Sequence, residues 1–372
     1  MKDVFIVSDN IISPLGTTTA GNYIQLKNAI SGIKRHDDKK ISPVPFYASL
    51  LHDFHSQVNG TKFEQLLIAS IADALKNSGI DSSNKNTLLI ISSTKGNISL
   101  LETEEYSPQL KDRIALHSSA KIVADHFGFV HAPVVISNAC ISGLLAILTG
   151  MRLIRSGQYE NVVVAGADVI SKFVVSGFQS FQAISEGECK PFDAARDGIN
   201  LGEGAATIIL SINKNHSDDI KITGGAVSND ANHISGPSRT GEELFQAIKK
   251  AMQSAGVAAK DVDFISAHGT ATVYNDEMEA KAITLADMQT VPVNSLKGFF
   301  GHTLGAAGLI ESVVTIQSMK ENIVLPSRGF EQLGVSNPLN ITTTLQSKKL
   351  QHCLKTASGF GGCNAALIFS KQ

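Results

Sequence analysis

Cysteine and histidine are the side chains best suited to covalent and proton chemistry near neutral pH, and three of them stand at telling places in this chain. Cys140 lies between the apolar run Val134–Ser137 and a segment in which Leu144, Leu148, Met151 and Ile154 recur at helical spacing. A strand, a tight turn and a helix are predicted there, with the thiol at the amino end of the helix. That end carries the positive pole of the helix dipole and free N–H groups, both of which favour thiolate. Gly143, in the first turn, allows another backbone or a substrate to come close. The alternative is an inert buried thiol, the commoner fate of a free cysteine.

His268 stands in SAHGTATVYND, directly after a predicted strand, and His302 stands in KGFFGHTLGAAG, before a helix rich in small residues. Neutral imidazoles can donate to a developing oxyanion or exchange protons near pH 7. Lys297, five residues before His302, is either a solvated loop residue or a buried cation that tunes its neighbours. Thr270 and Thr272 offer hydroxyls that could bind a ligand or simply close a turn. Zinc is the other chemistry open to a cysteine and two histidines, but these three are dispersed without ligand-type spacing, so no metal is expected. The four cysteines, at 140, 189, 353 and 363, form neither a CxxC pair nor a disulfide framework.

Positioning such scattered residues requires a substantial fold. The 372 residues are 43% hydrophobic and 18% charged, which excludes a disordered chain, and the net charge of −2 gives no general case for nucleic acid or an anionic membrane as partner. No uncharged apolar run approaches the roughly 20 residues needed to span a bilayer, and MKDVFIVSDNIISPLG has no secretory h-region, so a cytoplasmic location is expected. Strands are predicted at Val4–Val7, Leu88–Ser92, Val134–Ser137, Val162–Ala165, Thr207–Leu210, Phe264–Ser266 and Leu367–Phe369. Helices are predicted at Phe63–Asn77, Ser142–Ser156, Glu242–Ser254 and Gly305–Met319, giving an α/β class.

The segments also repeat. FEQLLIASIADALKNSGI followed by LLIISSTKG is echoed by ELFQAIKKAMQSAGV followed by DFISAHG; VVISNACISGLLAIL is echoed by VPVNSLKGFFGHTLGAAGLI; AATIILS is echoed by AALIFS. Two similar halves, 1–213 and 214–372, meet across the polar stretch Asn213–Asp219. If they pack about a pseudo-twofold axis, the loops carrying Cys140, His268, Lys297 and His302 converge on one site.

NACISG around Cys140, AHGTAT with ND at 275–276, SLKGFFGHTLGAAG at 295–308 and SGFGGCNAALIF at 358–369 resemble the β-ketoacyl-[acyl-carrier-protein] synthases, elongating condensing enzymes of the thiolase superfamily. FDAARDGINLGEGAA at 192–206 resembles the stretch that closes the first half in that family. The resemblance runs over essentially the whole chain. It implies a thiolase-like fold, two pseudo-duplicated α/β halves forming a five-layered α-β-α-β-α architecture. It implies decarboxylative condensation of an acyl group held on Cys140 with malonyl-acyl-carrier protein, with His268, His302 and Lys297 completing the catalytic set and Glu311 supporting Lys297. The backbone N–H groups of Cys140 and Phe360 would form the oxyanion hole; Thr270, Thr272, Phe178 and Phe360 would bind substrate, the two rings as a hinged gate. The implied partners are an acyl-carrier protein and a second subunit, in a homodimer or in a heterodimer with a related ketosynthase-like chain, with no cofactor. A coenzyme A thiolase and a non-catalytic chain-length-factor-like subunit are the alternatives.

Departures from the family pattern carry expectations of their own. Ile141 would narrow the acyl pocket, Cys363 replaces a hydroxyl residue as a small structural thiol, and Lys95 in STKGN would shorten the acyl tunnel or select a polar or conjugated chain. Lys62, Lys111, Arg113 and Lys172 are candidates for a basic patch facing an acidic carrier protein, while Gln182 stands where arginine is frequent.

Overall fold

The computed structural model describes residues 2–52, 54, 56, 58–216, 219–231 and 236–371. The first half contains, in order, β1 (Phe5–Ile12), α1 (Lys62–Lys76), β2 (Thr87–Ser92), α2 (Leu116–Phe127), β3 (Val134–Ile136), α3 (Ser142–Arg155), β4 (Asn161–Asp168), α4 (Lys172–Ser180) and β5 (Gly204–Ser211). The second contains β6 (Ile220–Asn229), α5 (Glu242–Ala255), β7 (Phe264–Ser266), α6 (Val273–Leu285), β8 (Pro292–Asn294), α7 (Ala307–Glu321), β9 (His352–Gly359) and β10 (Cys363–Ser370).

The strands share one sheet in the order β8-β7-β9-β10-β6-β1-β5-β4-β2-β3, with Asn340–Ile341 added at the β8 edge. Numbered within its own half, each set of five strands follows the same pattern, third-second-fourth-fifth-first. The pairings repeat as well: β2 is parallel to β3 and β4, as β7 is to β8 and β9. The halves join where β1 pairs antiparallel with β6 through Phe5↔Lys221 and Ile6↔Ile220.

Strand alternation divides the apolar residues between layers. In β2, Leu89 and Ile91 face α1 and α2 on the outside, whereas Leu88 and Ile90 face inward. In the second half, Ile265, Leu354 and Ile368 pack against α5 and α6 on the opposite outer face. Between the two halves of the sheet lie α3 and α7, both sunk in the central core with Leu144, Leu148, Leu309 and Val313. The result is five layers. Local chemistry sets the helix ends: Thr61 and Glu64 form a reciprocal capping box on α1, and Gly256 closes α5 in the left-handed region at φ 66°. Among the described residues, no helix is long and apolar enough to cross a membrane.

The crossing of α3 and α7 is closer than ordinary side chains permit. A Cβ added to Gly143 would stand 2.7 Å from the Leu309 nitrogen and 3.1 Å from the Gly305 oxygen. A Cβ on Gly308 would stand 2.8 Å from the Leu144 nitrogen. The close approach expected of Gly143 is therefore to a backbone, that of the equivalent helix in the other half. Because backbone cannot swing aside, Gly143→Ala should cost about 1–3 kcal/mol of stability. Calorimetry would show it as a lowered melting temperature, and an unchanged melting temperature would contradict this packing.

Candidate active site

The turn between β3 and α3 is a sharp one. Ala139 adopts φ 43°, a left-handed conformation unfavourable for a residue with a Cβ, and the chain reverses there. The Ser142 hydroxyl clamps the turn, accepting from the Asn138 N–H at 2.8 Å and donating to the Ala139 carbonyl at 2.7 Å. Cys140 is thus held at the tip, half-buried, on the wall of a cavity of about 450 Å³.

His268 and His302 line the same cavity. His302 Nε2 is 3.0 Å from Cys140 Sγ, and the two imidazole rings meet edge to face with centroids 5.2 Å apart. The sulfur and one nitrogen from each histidine lie within 4.8 Å of one another. The loops after β3, β7 and β8 therefore converge, as the repeat suggested.

Two buried carboxylates set the His268 loop. Glu279 accepts from the His268 and Gly269 N–H groups, both at 2.8 Å; Asp276 accepts from the Thr270 N–H at 2.8 Å and the Phe192 N–H at 2.7 Å. Both come from α6, three residues apart and so on one helix face. Sequence reading passed over them because the inward face of α6 is partly acidic and breaks the apolar period. The ND at 275–276 was the only trace of it.

Lys297 is buried at 1% exposure. Its Nζ donates to Glu311 Oε1 at 2.6 Å and to the His268 carbonyl at 2.8 Å, and lies 3.3 Å from His268 Nδ1. An ammonium only donates, so Nδ1 is the bare nitrogen and Nε2 bears the proton. His302 Nδ1 is buried with no hydrogen-bond partner among the described residues. A bare nitrogen is cheaper to leave unpaired than an N–H, so His302 too carries its proton on Nε2. Glu311 has a second partner that sequence reading missed: Lys355 Nζ, 2.7 Å from Oε2.

Burial, reinforced by the charges of Lys297 and Lys355, holds both histidines well below the usual imidazole value, so both are neutral at pH 7. Burial likewise pushes the Cys140 thiol up to about 12, with Lys297 opposing. Loss of water is the largest influence on the group, which rests as a thiol rather than the thiolate that a helix amino end favours. The donors Cys140, His268 and His302 are close enough to share a metal ion, and the ammonium groups of Lys297 and Lys355, both paired with Glu311, lie beneath them.

Thr270 and Thr272 line the cavity with their hydroxyls 2.9 Å apart. Phe178 stacks on Phe360 at 5.9 Å between centroids, and Phe181, not anticipated from sequence, meets Phe360 edge-on at 5.4 Å. A Cβ on Gly359 would fall 2.9 Å from the Cys140 nitrogen, so the 358–362 loop lies against the Cys140 turn. Cys363 ties the same two loops, with Sγ 3.4 Å from the Phe360 oxygen and 3.8 Å from the Asn138 oxygen.

Other expectations need revision. Ile141 is buried in the central core and does not line the cavity. Lys62 and Arg113 are engaged in ion pairs with the buried carboxylates Glu203 and Glu64, leaving Lys111 and Lys172 as the exposed members of the basic set. Gln182 lines the cavity entrance at φ 52°. Lys95 lies in a loop whose Thr94 and Lys95 N–H groups bond Asp168, and its half-buried side chain does not reach the cavity wall.

Comparison with known proteins identifies the family. Residues 1–216 match the family model for the beta-ketoacyl synthase N-terminal domain, and residues 220–331 match the model for its C-terminal domain. A 3-oxoacyl-[acyl-carrier-protein] synthase 2 from Vibrio cholerae is 28% identical over 415 residues, covering 100% of this chain and 99% of the relative. Another of that name, from Staphylococcus aureus, is 29% identical, covering 100% of this chain and 98% of its own. The fold is shared with a chain of the ishigamide ketosynthase/chain length factor, with a TM-score of 0.92 at 23% identity, covering 100% of this chain and 99% of that one. With both domain models matched in order along a thiolase-type fold, this chain belongs to the beta-ketoacyl synthase family.

Proposed function

We propose that this protein is an acyltransferase that condenses an acyl group held on Cys140 with malonyl-acyl-carrier protein. The products are a 3-oxoacyl-carrier protein longer by two carbons and CO₂. The observation that carries the reading is the sharing of one cavity by Cys140 Sγ and two imidazoles, with His302 Nε2 3.0 Å from the sulfur.

In the first step the Cys140 sulfur attacks the acyl thioester carbonyl, and its proton passes to the departing pantetheine sulfur. The Cys140 and Phe360 N–H groups, which have no acceptor among the described residues, receive the oxyanion. Such a donor is worth about 3 kcal/mol in acyl transfer. In the second step the malonyl C–C bond breaks, CO₂ leaves, and the electron pair spreads onto the thioester oxygen as an enolate. The Nε2–H groups of His268 and His302 donate to that oxygen. The enolate carbon then attacks the acyl carbonyl, the C–S bond to Cys140 breaks, and the sulfur recovers a proton from solvent. Lys297, compensated by Glu311, keeps His268 in its donating tautomer.

Thr270 and Thr272 hydrogen-bond the phosphopantetheine arm, and Phe178 and Phe360 gate the cavity between acylation and condensation. Residues 1–213 supply the nucleophile and 214–372 the histidines and lysine. The partners are an acyl-carrier protein and a second ketosynthase-like subunit, identical or related, in cytoplasmic fatty-acid or specialised polyketide or polyene synthesis. A solved structure supports the second subunit: a chain of the ketosynthase–chain length factor complex from Xenorhabdus doucetiae has a TM-score of 0.90 at 22% identity. A purely structural chain-length-factor-like subunit has no need of the Cys140–His302 contact. A thiolase would need a second reactive cysteine where Phe360 stands.

Three outcomes check this reading. Intact mass after mixing with acyl-carrier proteins should show one acyl adduct on the wild type and none on Cys140→Ala; an adduct that persists in the variant would refute the nucleophile. His268→Ala and His302→Ala should each slow CO₂ release from malonyl-carrier protein at least ~100-fold, the size seen when an oxyanion donor is lost; undiminished release in both would overturn their role. Because the thiol lies near 12, alkylation of Cys140 by iodoacetamide should accelerate about tenfold per pH unit from pH 7 to 9. A rate plateau below pH 8 would mean a resting thiolate.

A further inference from the structure

Lys355 is a fully buried cation that no step above uses. It lies on β9 at 0% exposure, and its Nζ is enclosed by four oxygens. These are the carbonyls of Ser266 and Ala267, each at 3.1 Å, the carbonyl of Thr356 at 2.8 Å, and Glu311 Oε2 at 2.7 Å. Burying an ammonium is costly, and burial pulls the Lys355 group below its usual value, while Glu311 and Glu279 oppose loss of its proton and the three carbonyls stand in for water.

Each of those oxygens belongs to a group that also touches the His268 site. Ser266 and Ala267 immediately precede His268 in the chain. The Thr356 hydroxyl donates at 2.6 Å to Glu279, whose carboxylate holds the His268 and Gly269 N–H groups. Glu311 is shared with Lys297, which contacts His268 Nδ1. The two ammonium groups stand directly behind the imidazoles, opposed by the carboxylates of Glu311 and Glu279, and both cations favour the neutral form of the rings.

We propose that Lys355 is a positioning residue for decarboxylation, a tethered cation that completes a Lys297–Glu311–Lys355 cluster, braces the loop entering His268, and sets a positive field where the enolate forms. The inference rests on the proposed condensation and adds a residue to it. The charged and titratable groups facing the imidazoles are Cys140 from the turn after β3, Glu279 and Asp276 from α6, Lys297 from the loop after β8, Glu311 from α7 and Lys355 from β9. Asp168, at the end of β4, and Lys95 act on the Cys140 side. Within this set Lys297 and Lys355 are the groups that favour neutral imidazole.

The test follows CO₂ release from malonyl-carrier protein against pH in Lys355→Ala and Lys355→Gln, beside the wild type, with and without propylammonium chloride. Both variants should release CO₂ at least ~10-fold more slowly, and the acid limb, where the imidazoles protonate, should move to higher pH. Propylammonium should restore part of the rate in Lys355→Ala, whose emptied oxygen cage can accept it, and should leave the wild type unchanged. A folded variant with the wild-type rate and acid limb would overturn the proposal, as would a slow variant with an unmoved limb and no rescue. If neither variant folds alone, folding of Lys355→Ala in propylammonium supports the tethered cation, and failure there too assigns Lys355 a purely structural role and refutes it. A wild type that releases no CO₂ would overturn the condensation itself, and the proposal with it.

Discussion

The contact between Gly143 and Gly308 is the constraint on which the rest of the molecule depends. Two equivalent helices, α3 and α7, cross backbone against backbone at the centre of the protein. Each begins beside a reactive loop, one ending in Cys140 and the other in His302. Any side chain at the crossing would drive the two apart. The 3.0 Å contact between Sγ and Nε2 is therefore a consequence of packing between halves, since no local segment contains both groups.

Around that crossing, the site is governed by the removal of water. Burial holds the thiol protonated and the imidazoles neutral, so Cys140, His268 and His302 coexist without charge separation. The ionised groups sit one layer behind. Glu279 and Asp276 hold the backbone of the His268 loop, Lys297 fixes its tautomer, and Lys355 closes the cluster on the far side of Glu311. Asp168 performs a similar task in the other half, accepting from the Gly305 N–H at 2.6 Å and from Ser93 Oγ at 2.7 Å, and so linking the start of the α7 region to the first half-sheet. The neutral site is supported by a buried ionic frame.

Much of this was legible in the sequence because the chain repeats. The repeated segments correspond to β2 with β7, β3 with β8, and β5 with β10, and the strand order in the two half-sheets is the same. Cys140, His268, Lys297 and His302 could be singled out because glycine-rich loops follow strands in both halves. What escaped notice shares one cause: polar or glycine residues turned inward. The strand β6 carries Gly224 and Gly225 where α5 and Leu148 press against it, which hides its β character. In β9 the buried Lys355 and Thr356 interrupt the apolar run, and in α6 the buried Asp276 and Glu279 interrupt the helical one. Lys62 and Arg113 misled in the opposite sense, since their charges answer buried carboxylates rather than a partner surface. Periodicity reports apolar burial, and a paired buried charge is invisible to it until the fold supplies the partner.

The account stands on condensation occurring where the sulfur and the imidazoles meet. The most direct measurement is a single-turnover chase: load Cys140 with an acyl group, remove excess donor, add malonyl-carrier protein labelled at the methylene carbon, and follow enzyme and carrier by intact mass. The account predicts that the acyl mass leaves the enzyme as the carrier gains that acyl group together with the labelled carbon, in step with CO₂ release. An acyl-enzyme that persists while CO₂ is released, or an acyl group lost only to water, would contradict it.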